Sequence, residues 1–106
     1  MNLRISEEGF RFRVTSEDLS TLLHGREIDQ SVCLGAHCFA YRITPVTFEK
    51  DMKLEMAIAG FCLYVPQTIL EELRDLGRSK KGLSVMQGDV NIAFQLDIKT
   101  QTRKSA

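Results

Sequence analysis

A chain of 106 residues with 43% hydrophobic and 26% charged side chains has the size and balance of one folded domain, which excludes a disordered segment. Fourteen basic and fourteen acidic side chains cancel, so the surplus positive charge of a general nucleic-acid or anionic-membrane binder is missing. No apolar run approaches the roughly 20 residues of a membrane-spanning helix, and three cysteines, an odd count, fit a reducing compartment better than a disulfide framework.

The opening Met1-Asn2-Leu3-Arg4-Ile5-Ser6 holds no long apolar stretch, so the expected location is cytoplasmic, without membrane contact. Leu3 and Ile5 alternate with Arg4 and Ser6; past Glu8-Gly9, Phe10, Phe12 and Val14 alternate with Arg11 and Arg13. Period two on both sides of an X-Gly pair predicts a β-hairpin. With Glu8-Gly9 as its loop, Ile5 opposes Phe12 and Leu3 opposes Val14, all four facing the core. Thr15-Ser16-Glu17-Asp18 then supplies a capping hydroxyl and early acidic residues for a helix. Its buried stripe is Leu19, Leu22 and Leu23, and Gly25 ends it.

A second hairpin turning at Gly35-Ala36 sets Val32 against Phe39 and Ile28 against Ile43. Residues 45–52 read as a linker, after which the whole pattern returns. Around Ala59-Gly60, Ile58 is set against Phe61, Met56 against Leu63 and Leu54 against Val65. Pro66 suits a first helical position, Ile69, Leu70, Leu73 and Leu76 form the stripe, and Gly77 the stop. The last hairpin turns at Gly88-Asp89 and pairs Val85 with Ile92 and Leu83 with Phe94; from about Lys99 the tail is polar and loose.

The return is visible in identities as well as in pattern. An offset of 51 superposes Leu3 on Leu54, Gly9 on Gly60, Phe10 on Phe61, Val14 on Val65, Leu19 on Leu70 and Leu22 on Leu73. Background frequencies supply roughly one or two matches over that length. Two residues of slip then match Val32 to Val85, Gly35 to Gly88 and Ala40 to Ala93. The expected fold is therefore a single α+β domain spanning 1–106, made of two tandem ββαββ repeats at 3–43 and 54–98 with a loose tail at 99–106. Pseudo-twofold symmetry would arrange eight mostly antiparallel strands as a barrel or two packed sheets, with the two helices covering the ends.

Three residue groups stand out on the outward faces. Cys33 and Cys38 lie directly opposite, with Cβ atoms about 4.5–5.5 Å apart, and read as two reduced thiols, with a redox pair as the alternative. A zinc site with His37 is disfavoured because C-x4-C lacks a second pair and strand neighbours point to opposite faces. Arg4, Arg11 and Arg13 share a face, with Arg4 set opposite Arg13. Nearby carboxylates such as Glu55 are the expected offset, and anion binding, helped by Arg78-Ser79-Lys80-Lys81, Lys99, Arg103 and Lys104, is the alternative. Ala57, Ala59, Cys62 and Tyr64 make an unusually apolar outer face, which suggests contact between the repeats or a homodimer interface. Glu55 is placed beside Tyr64, and Asp29 opposite Arg42, by the same arithmetic.

Enzyme motifs such as G-x-S-x-G, a P-loop, G-x-G-x-x-G or H-E-x-x-H are missing, so no catalytic residue is assigned and no cofactor or metal is implied. The expected function is a binding or protein-interaction module with a protein or small-molecule partner. The alternatives are an anion or nucleic-acid binder through the arginines, and a small enzyme with a pocket between the repeats. Zero net charge and scarce outward aromatics argue against nucleic acid.

Arg11-Phe12-Arg13-Val14-Thr15-Ser16-Glu17, Phe39-Ala40-Tyr41 and Tyr64-Val65-Pro66 resemble a family of short uncharacterised bacterial proteins, a domain of unknown function. The similarity spans most of residues 1–95. The C-terminal Gln95-Leu96-Asp97-Ile98-Lys99 and its basic end depart from that pattern. The resemblance supports the fold and implies no activity.

Overall fold

The computed structural model describes residues 1–47, 49–76 and 82–97. Its elements are β1 (Asn2–Ser6), β2 (Gly9–Val14), α1 (Ser16–Leu23), β3 (Ile28–Leu34), β4 (His37–Val46), β5 (Lys53–Ala57), β6 (Gly60–Pro66), α2 (Gln67–Leu76), β7 (Leu83–Gln87) and β8 (Val90–Leu96). This is ββαββ twice over. Strand β4 takes in Pro45 and Val46, which the pattern assigned to the linker, and Pro66 ends β6 one residue before α2 begins. The expected stop at Gly77, the 78–81 loop and the tail from Lys99 lie outside the described residues.

The eight strands form two four-stranded sheets, β1-β2-β8-β7 (sheet A) and β3-β4-β6-β5 (sheet B), and no closed barrel. Each unit contributes one hairpin to each sheet. The hairpins are antiparallel within themselves, but they meet along two central parallel seams, β2–β8 and β4–β6. A short connection cannot build a parallel pair, and the exchange of hairpins between units is what makes these seams accessible.

Each seam depends on one glycine. The sequence reads Gly9 and Gly60 as turn residues; both are instead the first residue of a strand, with Glu7-Glu8 and Ile58-Ala59 at the tips. A Cβ on Gly9 would overlap the carbonyl oxygen of Asn91, and one on Gly60 that of Ala40. Their φ values of 151° and 153° are also ones that favour glycine. The tips move accordingly, and both first hairpins slip by two residues: Leu3 pairs with Phe12, Ile5 with Phe10, Leu54 with Leu63 and Met56 with Phe61. A slip of two keeps every side chain on its own face.

Between the sheets, Phe12, Val14, Leu63, Val65, Ile43, Ile92 and Phe94 are fully buried, closed at one side by Leu22, Leu70 and Leu73 from the helices. Thr15 caps α1 in a capping box: its hydroxyl accepts from the Asp18 N–H at 3.1 Å, and the Asp18 carboxylate accepts from the Thr15 N–H at 3.1 Å. The Gln67 side chain donates to the Leu23 carbonyl at 3.0 Å and ties the start of α2 to the end of α1. The expectation that Ile5, Met56 and Ile58 face the core fails, since all three are exposed. Ile58 stands at a hairpin tip, and Ile5 and Met56 stand one pair inside their tips on the edge strands β1 and β5.

Candidate functional site

The hairpin β3–β4 overhangs its sheet. Its tip pair is Leu34–His37, three residues before Ala40 enters the parallel seam; in β7–β8 the tip pair Gln87–Val90 lies one residue before Asn91 does so. The seam equivalent of Ala40 is therefore Asn91, and the Ala40–Ala93 match of the sequence aligns the turns rather than the sheets. Val32 and Phe39 face each other one residue before the seam, where Gln87 and Val90 stand in the other hairpin. The two extra residues on each strand add Leu34 and His37 to that face; Leu34 is 85% and Val32 59% exposed.

That face runs on into a continuous apolar platform. Phe39 stacks edge-on against Phe61 at 5.6 Å, and Phe61 meets Phe10 of sheet A at 4.8 Å. Phe10 and Phe61 hold matching places, each following the glycine that opens β2 or β6. Met56, opposite Phe61, and Ile5, opposite Phe10, extend the platform, and Ile58 stands fully exposed at its rim. Exposed apolar patches occur at protein–protein contacts, membrane-binding faces and ligand grooves alike.

On the reverse face of the overhang, Cys33 and Cys38 sit directly opposite as expected, with Cα atoms 4.0 Å apart. They are joined in a disulfide of 2.05 Å where the sequence predicts two reduced thiols. Among the described residues, no group of three His, Cys, Asp or Glu side chains is placed to hold a metal ion.

The edge strands differ as well. The Gln87 amide of β7 donates to the Leu54 carbonyl and accepts from the Leu54 N–H, both at 2.8 Å, which occupies the outer edge of β5. Composition gave no sign of this clamp, because a glutamine at a strand end reads as a solvent-facing residue. Strand β3, the other edge of sheet B, is exposed from Asp29 to Leu34 and carries one charge in seven residues.

The proposed outer-face interface is divided by the structure. Ala57 and Ala59 are exposed, whereas Cys62 is buried beside the Thr44 hydroxyl at 3.6 Å and Tyr64 is half-buried. Glu55 pairs with Cys62 and Lys53 with Tyr64, not Glu55 with Tyr64; Lys53 and Glu55 form an ion pair at 3.4 Å. A hydrogen bond with Cys62, and then its charge, hold the Tyr64 hydroxyl above its ordinary pKa. Asp29 does face Arg42.

The arginines occupy the outer face of sheet A. Arg4 lies opposite Arg11 rather than Arg13, which pairs with Asn2. Two cavities border them: one of about 190 Å³ includes Ser6, Glu8 and Asn91, and one of about 160 Å³ is lined by Asn2, Leu3, Arg4, Arg11 and Arg13. A larger groove of about 580 Å³ runs between the helices past Leu19, His24, Gln67, Glu71 and Arg74.

Comparison with known proteins returns one family. The model described as "Family of unknown function (DUF7009)" matches residues 1–101, and the chain belongs to that family. No curated protein and no solved structure matches this chain.

Proposed function

Taking the chain as a member of a family without an assigned activity, we propose that it is a protein-interaction module whose platform receives a second copy of the same chain. The observation that carries this reading is the continuous apolar surface Val32–Phe39–Phe61–Met56 with Leu34 and Ile58 at its rim. Burying such side chains stabilises association by about 1.5–3 kcal/mol each when they are fully covered. The partner is assigned as a second copy for two reasons. The edge of β3 carries a single charge, Asp29, and no proline, and among the described residues no side chain clamps it, so little keeps two copies from pairing edge to edge beside their platforms. Zero net charge removes the long-range repulsion that would oppose self-association.

Sedimentation velocity at micromolar concentration tests the reading. The expected result is the mass of two chains, reduced to one by Leu34→Asp and by Ile58→Asp with unchanged circular dichroism. A wild-type chain that stays monomeric at high micromolar concentration overturns the assignment, as does a dimer that both substitutions leave intact.

A further inference from the structure

We infer that the outer face of sheet A binds a phosphomonoester-type oxyanion, held between the guanidinium groups of Arg4, Arg11 and Arg13. Arg4 and Arg11 are direct cross-strand partners, and Arg13 follows Arg11 on the same face of β2. Like charges placed opposite one another destabilise a sheet unless something offsets them. No carboxylate forms an ion pair with any of the three among the described residues. The neighbouring outward positions within the strands are Asn2, Ser6, Asn91, Ala93, Gln95, Ser84 and Met86, none of them acidic; the acidic side chain next in the row, Asp97, lies just past the end of β8.

The second sheet supplies an internal control. Positions equivalent to Arg4, Arg11 and Arg13 in sheet B are Glu55, Cys62 and Tyr64. The fold therefore has no need of arginine at these places, and the positive face belongs to sheet A alone. Glu8 borders the cavity of about 190 Å³ and would repel an anion there. The cavity of about 160 Å³ has no acidic side chain among its described lining residues, offers three guanidinium groups and the Asn2 amide, and suits one oxyanion rather than a whole drug-sized molecule. Arginine favours phosphate because its planar fork can donate two parallel hydrogen bonds. A single phosphate group is preferred over a polynucleotide because the net charge is zero and, among the described residues, this face carries no aromatic side chain on which bases could stack.

The test is a two-dimensional NMR titration of the full-length chain with inorganic phosphate and then phosphoserine, at ionic strength held constant with chloride. Saturable shifts confined to β1 and β2 at millimolar phosphate are expected. Arg11→Gln should weaken the interaction by about tenfold, the loss of one charge-assisted hydrogen bond. Lys53→Gln, on the other sheet, should leave it unchanged. Arg4→Gln serves as the second variant should Arg11→Gln fail to fold. Shifts that never saturate, or an affinity that neither arginine substitution alters, would overturn the assignment. A short single-stranded DNA that binds more tightly than phosphoserine, with an affinity falling steeply with salt, would overturn the choice of ligand.

Discussion

Hairpins β3–β4 and β7–β8 occupy matching places in the two sheets, yet they are finished in opposite ways. Strands β7 and β8 are short, stop one residue past the seam, and spend Gln87 on clamping the edge of β5. Strands β3 and β4 run two residues further, are cross-linked by Cys33–Cys38, and present Val32, Leu34 and Phe39 to solvent. One hairpin closes the molecule and the other extends it. The frame tolerates either ending, so the apolar overhang is not a requirement of the fold, and this is why an interaction surface is proposed there.

The frame itself is the first thing to break. Gly60→Ala would force a Cβ into the Ala40 carbonyl across a parallel seam, and Gly9→Ala does the same against Asn91. Each is expected to lower unfolding free energy by about 3 kcal/mol or more. Gly35→Ala at the overhanging tip meets open space and bears only the strain of a φ of 64°, at about 1 kcal/mol. Urea unfolding separates these outcomes. Similar losses for Gly9 and Gly60 sharpen the equivalence of the two seams, and a large difference between them breaks it.

The two finishes come next. Replacing Cys33 and Cys38 together by serine should cost about 2 kcal/mol, the loop-closure value for so short a ring, and should weaken self-association because the overhang is no longer held. Gln87→Ala leaves the Leu54 N–H and carbonyl without their partner, at about 1–2 kcal/mol, and leaves the overhang unchanged. Paired urea unfolding and sedimentation measurements read both effects. Association lost on cutting the Gln87 clamp and kept without the disulfide would reverse the assigned roles.

The smallest expected effect distinguishes the two helix starts. Thr15→Ala removes the α1 cap at a cost of about 1 kcal/mol. Burial raises the Asp18 pKa, but the Thr15 N–H and the N-terminal ammonium, 2.9 Å away, together outweigh it, so the carboxyl is held below its ordinary value. A depressed carboxylate contributes stability that is present above its unfolded pKa of about 3.9 and lost as pH falls through the lower folded value. Asp18→Asn should therefore be less stable than wild type near neutrality, and the gap should narrow under acid. A gap that persists at acid pH would show that the charge of Asp18 is not what matters.

Much of this architecture is legible in the chain. The alternation of Leu3, Phe10, Phe12 and Val14, and its return in Leu54, Phe61, Leu63 and Val65, fixes the strands and the faces they bury. The threefold and fourfold spacing of Leu19, Leu22, Leu70 and Leu73 fixes the helices. The same counting places Cys33 opposite Cys38 and the three arginines on one outer face. It misplaces the first turns, the partners of Arg4 and Glu55, and the exposure of Ile5, Met56 and Ile58. All of these follow from reading Gly9 and Gly60 as turn residues.

Period-two alternation determined by itself which side chains share a face, because facing is a property of neighbours along one strand. It is blind to a slip of two, which leaves every face unchanged. Register, the exchange of hairpins between units, the Gln87 clamp and the overhang of β3–β4 were decided only when distant strands met. There the close approach of one backbone to another at Gly9 and Gly60 outweighed the local preference of glycine for a turn.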